Sequence, residues 1–256
     1  MIRFIICNLD IVYEEGKISE GLLERIGKLK DKGILFSVAG RETYDCIRPM
    51  FENYMKDMLF ICDNGTVAFF DDAPVYKYFL ERRVAFDILR EARKDFSCNV
   101  VVNGERGSYA LDENKGFIYL LNNEKNIEPV LVPEIYKIKE DIVSLRLYRY
   151  GGIDDEMLDE LLKRWGEKAD FIRENEEWIS IIPSGVNKGL AVSTIGKLYD
   201  ISFEDTMTFG IDETDIPMFD NSFFSYAMQQ SDKEIRNCSK HIAADVESII
   251  DDVLLM

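Results

Sequence analysis

The chain has 256 residues, enough for one large domain or for two modest ones with their own cores. Hydrophobic residues make up 46% of the sequence and aromatic residues 12%, which excludes a disordered chain. The net charge of −17, from 31 Lys and Arg against 48 Asp and Glu, disfavours non-specific binding to nucleic acid or to an anionic membrane.

The N-terminal part of the chain alternates apolar strands with helical periodicity. Apolar residues at Ile18, Leu22 and Ile26, for example, recur at helical spacing. Strand–helix–strand repetition with short loops predicts a parallel sheet with helices on both faces. The predicted elements are strand 2–8, helix 18–32, strand 34–38, helix 42–55, strand 58–62 and a hairpin of strands 66–70 and 75–79.

The middle of the chain predicts a different architecture, in which neighbouring strands are connected by hairpins, as in an α+β module. The predicted elements are helix 82–96, strands 98–103, 107–111 and 117–121, a stretch of unassigned type at 132–138, strand 142–149, helix 153–167 and strands 169–174 and 177–182.

The last part of the chain returns to the alternation of the first. Its predicted elements are helix 187–199, strand 206–210, helix 214–220, strand 223–227 and helices 232–237 and 245–254. The whole pattern predicts an α/β fold: a doubly wound parallel-sheet core of residues 1–81 and 184–256, with an α+β cap domain inserted over residues 82–183.

Cysteine and histidine usage excludes several kinds of site. The five cysteines contain no C-x-x-C pair, so neither a zinc site nor a disulfide framework is predicted. His241 is the only histidine, which excludes a His-rich metal site and disfavours a catalytic triad. The chain has neither a secretory leader nor an apolar run near 18 residues, and we expect a soluble, cytoplasmic protein.

The first predicted strand ends in two polar residues, Asn8 and Asp10. Because alternate residues of a strand share a face, this spacing predicts that the strand delivers both side chains to one edge of the sheet. In an open parallel sheet the ligand site lies at the carboxyl ends of the strands.

Four predicted strand ends carry polar or glycine-containing turns: Asn8-Leu9-Asp10, Ala39-Gly40-Arg41, Ser184-Gly185-Val186-Asn187-Lys188-Gly189 and Gly210-Ile211-Asp212-Glu213-Thr214-Asp215. In their order and spacing, these turns resemble those of the Cof-type (class IIB) sugar-phosphate phosphatases of the haloacid dehalogenase (HAD) superfamily. Cys62-Asp63-Asn64-Gly65 is similar to the family's Glu-Asn-Gly turn, and Tyr226-Ala227-Met228 to its Val-Ala-Met. The resemblance covers nearly the whole chain and implies a HAD-like Rossmannoid core with a C2B-type cap.

The first motif departs from the family's Asp-x-Asp-Gly-Thr, because this chain has Asn8-Leu9-Asp10-Ile11-Val12. The resemblance makes position 8 the nucleophile and a Mg²⁺ ligand. A neutral amide attacks phosphorus poorly and supplies no anionic charge to a metal. Asp10 is retained, and the resemblance implies that it is the general acid and base and that its backbone carbonyl is a metal ligand.

The second and third motifs concern phosphate binding. The family's Thr-Gly-Arg is replaced by Ala39-Gly40-Arg41, so the hydroxyl donor is lost at Ala39. The third-motif lysine is present as Lys188, at a predicted helix start where it can offset phosphate charge. The resemblance implies that the remaining phosphate-binding residues are Gly40, Arg41, Asn64 and Gly65.

The fourth motif, Gly-Asp-x-x-Asn-Asp in the family, places Ile211 at a metal-binding aspartate and Thr214 at the asparagine. Isoleucine cannot bind Mg²⁺, which requires oxygen ligands. Asp215 is retained as a metal-ligand candidate, and Asp212 is a weak candidate for a displaced ligand. Mg²⁺ is therefore expected only if the site still functions.

The combined losses predict negligible phosphatase turnover. The leading hypothesis is a non-catalytic binding or regulatory protein that holds a phosphorylated or anionic small molecule in the core–cap cleft. One alternative is an active Mg²⁺-dependent phosphatase of small metabolites such as sugar phosphates, using Asp10, Asp212 or Asp215 in changed roles. Another is a structural or partner-binding module with a closed cleft.

Each retained residue also has a purely structural interpretation. Asp10 and Asp215 are candidates for helix caps or loop carboxylates, and Lys188 for a solvated lysine at a helix start. Gly40 and Arg41 are candidates for a turn followed by a salt bridge. Four aromatic residues of the predicted cap are expected to serve packing: Tyr148, Tyr150, Trp165 and Trp178.

Overall fold

The computed structural model describes residues 1–14, 17–125 and 127–256. The chain folds as two units. The core unit comprises Met1–Glu42, Ile47–Tyr76 and Asn187–Met256, and the inserted unit comprises Thr43–Cys46 and Lys77–Val186. No helix of the described ranges combines the length and the apolar character needed to cross a membrane.

Within the described ranges, the first part of the chain supplies seven strands and three helices. They are β1 (Phe4–Asn8), α1 (Leu9–Val12), β2 (Tyr13–Glu14), β3 (Lys17–Ile18), α2 (Glu20–Asp31), β4 (Leu35–Ala39), α3 (Tyr44–Ile47), β5 (Met58–Cys62), β6 (Val67–Phe70) and β7 (Ala73–Lys77), with 3₁₀ turns at Arg48–Tyr54 and Asp63–Gly65.

The middle part follows with α4 (Arg82–Phe96), β8 (Asn99–Asn103), β9 (Ser108–Leu111), α5 (Lys115–Glu124), β10 (Val130–Val132), β11 (Ser144–Tyr148), α6 (Asp155–Trp165), β12 (Ala169–Arg173) and β13 (Trp178–Pro183), with a 3₁₀ turn at Ile135–Lys137. The last part supplies α7 (Lys188–Leu198), β14 (Thr206–Gly210), α8 (Ile216–Phe219), β15 (Phe224–Met228), α9 (Lys233–Cys238), β16 (His241–Ala243) and α10 (Val246–Leu255), with 3₁₀ turns at Phe203–Asp205 and Glu213–Asp215.

The core unit is built on an eight-stranded sheet with the order β16-β15-β14-β1-β4-β5-β6-β7. The six strands from β16 to β5 are parallel, and β6 pairs antiparallel with β5. All five residues of the central strand β1 are buried, as expected for a parallel strand covered on both faces. Phe4 and Ile6 belong to the same apolar cluster as Ala191 and Ile195 of α7. The doubly wound α/β fold predicted from the sequence is confirmed.

The inserted unit has a six-stranded sheet with the order β10-β9-β8-β11-β13-β12. Its strands pair antiparallel, except that the edge strand β10 runs parallel to β9. A large apolar cluster joins α4 and α6 to Val100, Leu145 and Ile179 of three neighbouring strands. The module is therefore of the predicted α+β type.

The aromatic residues of the inserted unit have mostly structural surroundings. Tyr148 and Trp178 are buried with ring centroids 4.9 Å apart, and both contact the ring of Phe117. The indole of Trp165 donates a hydrogen bond to Glu91. Tyr150, by contrast, is 88% exposed, so the packing interpretation does not describe it.

One predicted strand is wrong. Residues 117–121 lie in helix α5, and the side chain of Asn114 caps that helix by accepting a hydrogen bond from the backbone N–H of Phe117. Phe117 and Leu121 are its buried residues, at helical i,i+4 spacing. A five-residue apolar run fits either element, and here the cap decides for the helix.

Three other expectations change in detail. The predicted helix 42–55 is a short α3 followed by a 3₁₀ turn that contains Pro49, and Phe51 interrupts that turn with non-helical backbone angles. The unassigned stretch 132–138 contains the end of β10 and a 3₁₀ turn. The antiparallel pair β2 and β3, and strand β16, which begins at His241, were not predicted, because two- and three-residue strands leave no periodic signal.

Candidate active site

The first strand delivers Asn8 but not Asp10. Asn8 is the last residue of β1, paired in register with Ala39 at the end of β4. The strand ends there, because the Asn8 carboxamide oxygen accepts the backbone N–H of Asp10 at 2.8 Å and caps helix α1. Asp10 lies in the first turn of that helix, exposed, while Asn8 is buried. The prediction that one strand face carries both side chains is therefore wrong.

The buried end of β1 is closed by an interaction with Asp215. The Asn8 amide nitrogen donates to Asp215 Oδ2 at 2.6 Å, and both residues are almost fully buried. Because the amide oxygen already accepts from Asp10, the amide orientation is fixed, and Asn8 presents an N–H to Asp215.

Lys188 supplies the charge that balances Asp215. Its ammonium donates to Asp215 Oδ1 at 2.7 Å and to the Thr214 hydroxyl at 2.8 Å. The Lys188 side chain is 3% exposed and that of Asp215 0%. The interpretation of Lys188 as a solvated lysine is therefore wrong, although it does begin helix α7 as predicted.

The turn after β14 brings backbone donors to the same carboxylate. Asp215 Oδ2 accepts the backbone N–H of Ile211 at 2.8 Å and that of Asp212 at 3.3 Å. The turn is a capping box, in which the Asp212 side chain in return accepts from Thr214. It requires glycine at position 210, since an added Cβ would lie 2.6 Å from the Cβ of Asp215. Asp215 is therefore a loop carboxylate, as the structural interpretation predicts, and it also forms an ion pair with Lys188.

The end of β4 forms a separate, more exposed group. Ala39 is buried and carries no donor, as the sequence indicates. Arg41 contacts Asp10 Oδ2 at 3.2 Å and Glu42 Oε1 at 3.4 Å, with 40% of its own side chain exposed. We call Asp10, Arg41 and Glu42 the rim, and Asn8, Lys188, Thr214 and Asp215 the buried cluster.

Sequence reasoning missed Glu42. Its Oε2 is buried and, within the described ranges, has no hydrogen-bond partner. This oxygen lies over Gly40, since a Cβ added there would be only 2.5 Å away. The signal available in the sequence was an acidic residue directly after Gly40-Arg41, at an edge expected to attract anions.

Asn64 and Gly65 lie in a tight turn after β5. Asp63, Asn64 and Gly65 all have positive φ, which the short polar side chains and glycine tolerate. The backbone N–H of Asn64 donates to the Gly40 carbonyl at 2.9 Å. A Cβ on Gly65 would lie 2.5 Å from the Asn187 carbonyl, so this turn packs directly against the residue before Lys188.

The surroundings favour the charged form of the side chain in the buried cluster and disfavour it in the rim. Burial lowers the pKa of Lys188, but the carboxylates of Asp215 and Asp212 more than offset this and raise it above its ordinary value. Burial, followed by the charge of Asp10, raises the pKa of Glu42, and Arg41 offsets only part of this. Burial also raises the pKa of the neighbouring Cys7 thiol, with a further contribution from Asp215, so Cys7 is an unreactive thiol.

Comparison with known proteins identifies the family. A family model for haloacid dehalogenase-like hydrolases matches residues 5–250. The chain belongs to this family. Among its relatives, the stress response protein YhaX of Bacillus subtilis is 21% identical over an alignment of 258 residues, gaps included. The alignment covers 91% of this chain and 85% of YhaX.

Solved structures agree in fold. A crystal structure from Eubacterium rectale matches with a TM-score of 0.91 at 22% identity, covering 98% of this chain and 99% of the other. The HAD subclass IIB sugar phosphatase BT4131 matches with a TM-score of 0.80 at 15% identity, covering 99% and 100%. The HAD membership predicted from the sequence motifs is confirmed, and the fold matches that of a subclass IIB sugar phosphatase.

The residues of this HAD site do not fit Mg²⁺, the metal that the family resemblance implies. Asp215 already accepts from Asn8, Lys188 and Ile211, and Asn8 directs an N–H, not an oxygen, at it. Among residues 1–14, 17–125 and 127–256 no group of three His, Cys, Asp or Glu side chains could hold a metal ion. The donors around Asp215 match an anionic carboxylate and oppose a hard cation.

Proposed function

We propose that this protein is a non-catalytic member of the Cof-type HAD family that works as a binding or regulatory protein. The observation that carries the proposal is the set of donors around Asp215: one carboxylate oxygen accepts from Lys188, the other from Asn8 and two backbone N–H groups. A carboxylate that is neutralised by an ammonium and surrounded by N–H donors attracts a divalent cation only weakly.

The nucleophile position supports the same proposal. The lone pair of the Asn8 amide nitrogen is delocalised, its N–H is committed to Asp215, and its oxygen is committed to the N–H of Asp10. Loss of a nucleophile alone costs several powers of ten in rate, and loss of the metal site removes the charge stabilisation that could compensate. We therefore expect no measurable phosphate release.

The proposed ligand is a phosphorylated or anionic small molecule, the ligand class of the family's phosphatases. Arg41 supports this assignment as a half-exposed cation beside Gly40. Asp10 and Glu42 on either side of it weaken attraction of a highly charged anion, so the proposal favours a ligand with a single phosphate or carboxylate.

The test is Mg²⁺-dependent phosphate release from a panel of sugar phosphates and p-nitrophenyl phosphate. The natural chain is assayed beside the Asn8→Asp/Ile211→Asp double variant, with the triple variant that adds Asp10→Asn as matched control. We expect no turnover by the natural chain, some by the double variant and loss again in the triple variant, because Asp10 would supply the proton.

The competing function is a Mg²⁺-dependent phosphatase of small metabolites, and its support is the survival of Asp10, Lys188 and Asp215 in one unit. EDTA-sensitive turnover by the natural chain would establish it and overturn our proposal. Saturable binding of a sugar phosphate in calorimetry, without turnover and weakened by Arg41→Ala, would support a binding protein. Neither binding nor turnover would favour a structural module.

A further inference from the structure

The inserted unit contains a cavity of about 490 Å³ that none of the HAD motifs uses. It lies between helix α4 and the segment of residues 133–136. Cavities that hold small molecules usually measure about 300–1,000 Å³ and combine an apolar lining with a few polar groups. The cavity has the size of a small-molecule site.

The floor of the cavity is apolar and ends in two aromatic rings. Leu89 and Ile135 are buried beneath it. Phe86 and Tyr136 lie edge to face with centroids 6.1 Å apart, and Tyr136 is 70% exposed. A large aromatic side chain left this exposed beside an apolar floor offers a surface on which another ring can stack.

The edge of this cavity carries three basic and two acidic side chains, a net charge of +1. Arg90, Arg93 and Lys94 line it from α4, against Glu113 and Glu134. Arg93 is paired with Glu113, and Arg90 contacts Asp87 of its own helix at 2.7 Å. Helix α4 carries five basic and three acidic residues, whereas the whole chain has a net charge of −17. The local charge therefore favours an anionic group at the Arg90 and Lys94 end.

We propose that this cavity binds a flat aromatic anion, that is, a ring system carrying one carboxylate, sulfonate or phosphate. The ring stacks on Tyr136 and packs edge-on against Phe86 over the apolar floor, and the anionic group lies at Arg90 and Lys94. This site is independent of the proposed function of the core unit, since every residue that lines it belongs to the inserted unit.

The experiment is a fluorescence titration of the full chain with 8-anilinonaphthalene-1-sulfonate, an aromatic sulfonate, and with the neutral N-phenyl-1-naphthylamine. The variants are Tyr136→Ser and Arg90→Ala/Lys94→Ala, all at exposed positions. The matched control is Leu162→Ser/Lys163→Ala, an exposed apolar residue and an exposed cation on α6.

We expect saturable binding of the sulfonate to the natural chain and to the control. Tyr136→Ser should weaken both probes, and Arg90→Ala/Lys94→Ala should weaken only the sulfonate, by about tenfold, which corresponds to roughly 1.4 kcal/mol. Raising the salt concentration should weaken the sulfonate alone. Absence of saturable binding, equal binding by all variants, or equal weakening of both probes by the charge variant would each overturn the proposal.

Discussion

The buried cluster and the rim belong to the same sheet edge but differ in how their charges are balanced. In the buried cluster, the Lys188 and Asp215 side chains are 3% and 0% exposed, and every oxygen of Asp215 has donors. In the rim, the Asp10 and Arg41 side chains are 42% and 40% exposed, and Glu42 keeps a buried oxygen without a partner among the described residues. The first group is closed and neutral, and the second is open with one excess negative charge.

The difference in charge balance between the two groups depends on the altered motif residue at position 8, which lies in the buried cluster. At position 8, where the family resemblance implies an aspartate, Asn8 forms a hydrogen bond 2.6 Å long with Asp215. The cluster is held by this bond and by the Lys188–Asp215 ion pair. Four substitutions test this contrast, and their expected effects fall from the cluster to the rim.

Lys188→Met should have the largest effect, because it leaves the Asp215 carboxylate buried without a counter-charge. Removal of one partner of a buried ion pair costs about 3–5 kcal/mol of unfolding free energy. The measurement is urea denaturation at pH 7. The double variant Lys188→Met/Asp215→Asn is the control and should recover much of the loss. A loss under about 1 kcal/mol for the single variant would show that the cluster is not closed.

Asn8→Asp should cost about 2 kcal/mol, since it removes a hydrogen bond to a charged group and sets two carboxylates against each other. Added Mg²⁺ should restore part of this stability, because the variant regains an oxygen pair for a hard cation. Thermal unfolding with and without Mg²⁺ measures both effects. The natural chain is the control and should show no Mg²⁺-dependent shift. An equal shift in both proteins would show that the natural site does accept Mg²⁺.

Glu42→Gln should stabilise the protein at neutral pH by up to about 1 kcal/mol. The pKa of Glu42 is raised in the folded state, so stability falls as the pH rises from the unfolded-state value, about 4.3, through the folded-state value. The variant lacks this fall. The urea midpoints of the variant and of the natural chain, measured between pH 4 and pH 8, should converge at the acidic end of the range. They should separate above the folded-state pKa of Glu42. A constant difference across that range would contradict the titration of Glu42.

Asp10→Asn should have the smallest effect, less than about 0.5 kcal/mol, because its ion pair with Arg41 is exposed on both sides. Chemical denaturation in low and high salt measures the difference in unfolding free energy between the variant and the natural chain. High salt should abolish that difference. A loss comparable to that of Lys188→Met would place Asp10 in the cluster instead of the rim.

The sequence allowed the fold to be predicted almost completely, because the long elements carry strong signals. Helix α4 and strand β14 were predicted at their observed bounds, 82–96 and 206–210. The wrong predictions are local. Residues 117–121 were predicted as a strand but lie in a helix that Asn114 caps, and the two-residue strands have no periodic pattern.

For the candidate site, sequence reasoning found the residues but not their hydrogen bonds. Asn8, Lys188 and Asp215 were singled out through the motifs, and the structure brings them together in one cluster. That Asn8 donates to Asp215 depends on an amide orientation, and motif spacing contains no information on it. Glu42 was missed because its significance is the burial of one oxygen over Gly40, a property of packing.

The position of β1 in the middle of its sheet also affects how the protein folds while it is being synthesised. Asn8 and Asp215 lie 207 positions apart in the chain, and β1 pairs on one side with β14, which begins at Thr206. At a ribosomal rate of about 5–20 residues per second, one edge of β1 waits roughly 10–40 s for its partner strand. The inserted unit emerges during that interval. The N-terminal strands of this protein should therefore depend on chaperones more than its inserted unit does, since an unpaired apolar strand edge is prone to aggregation.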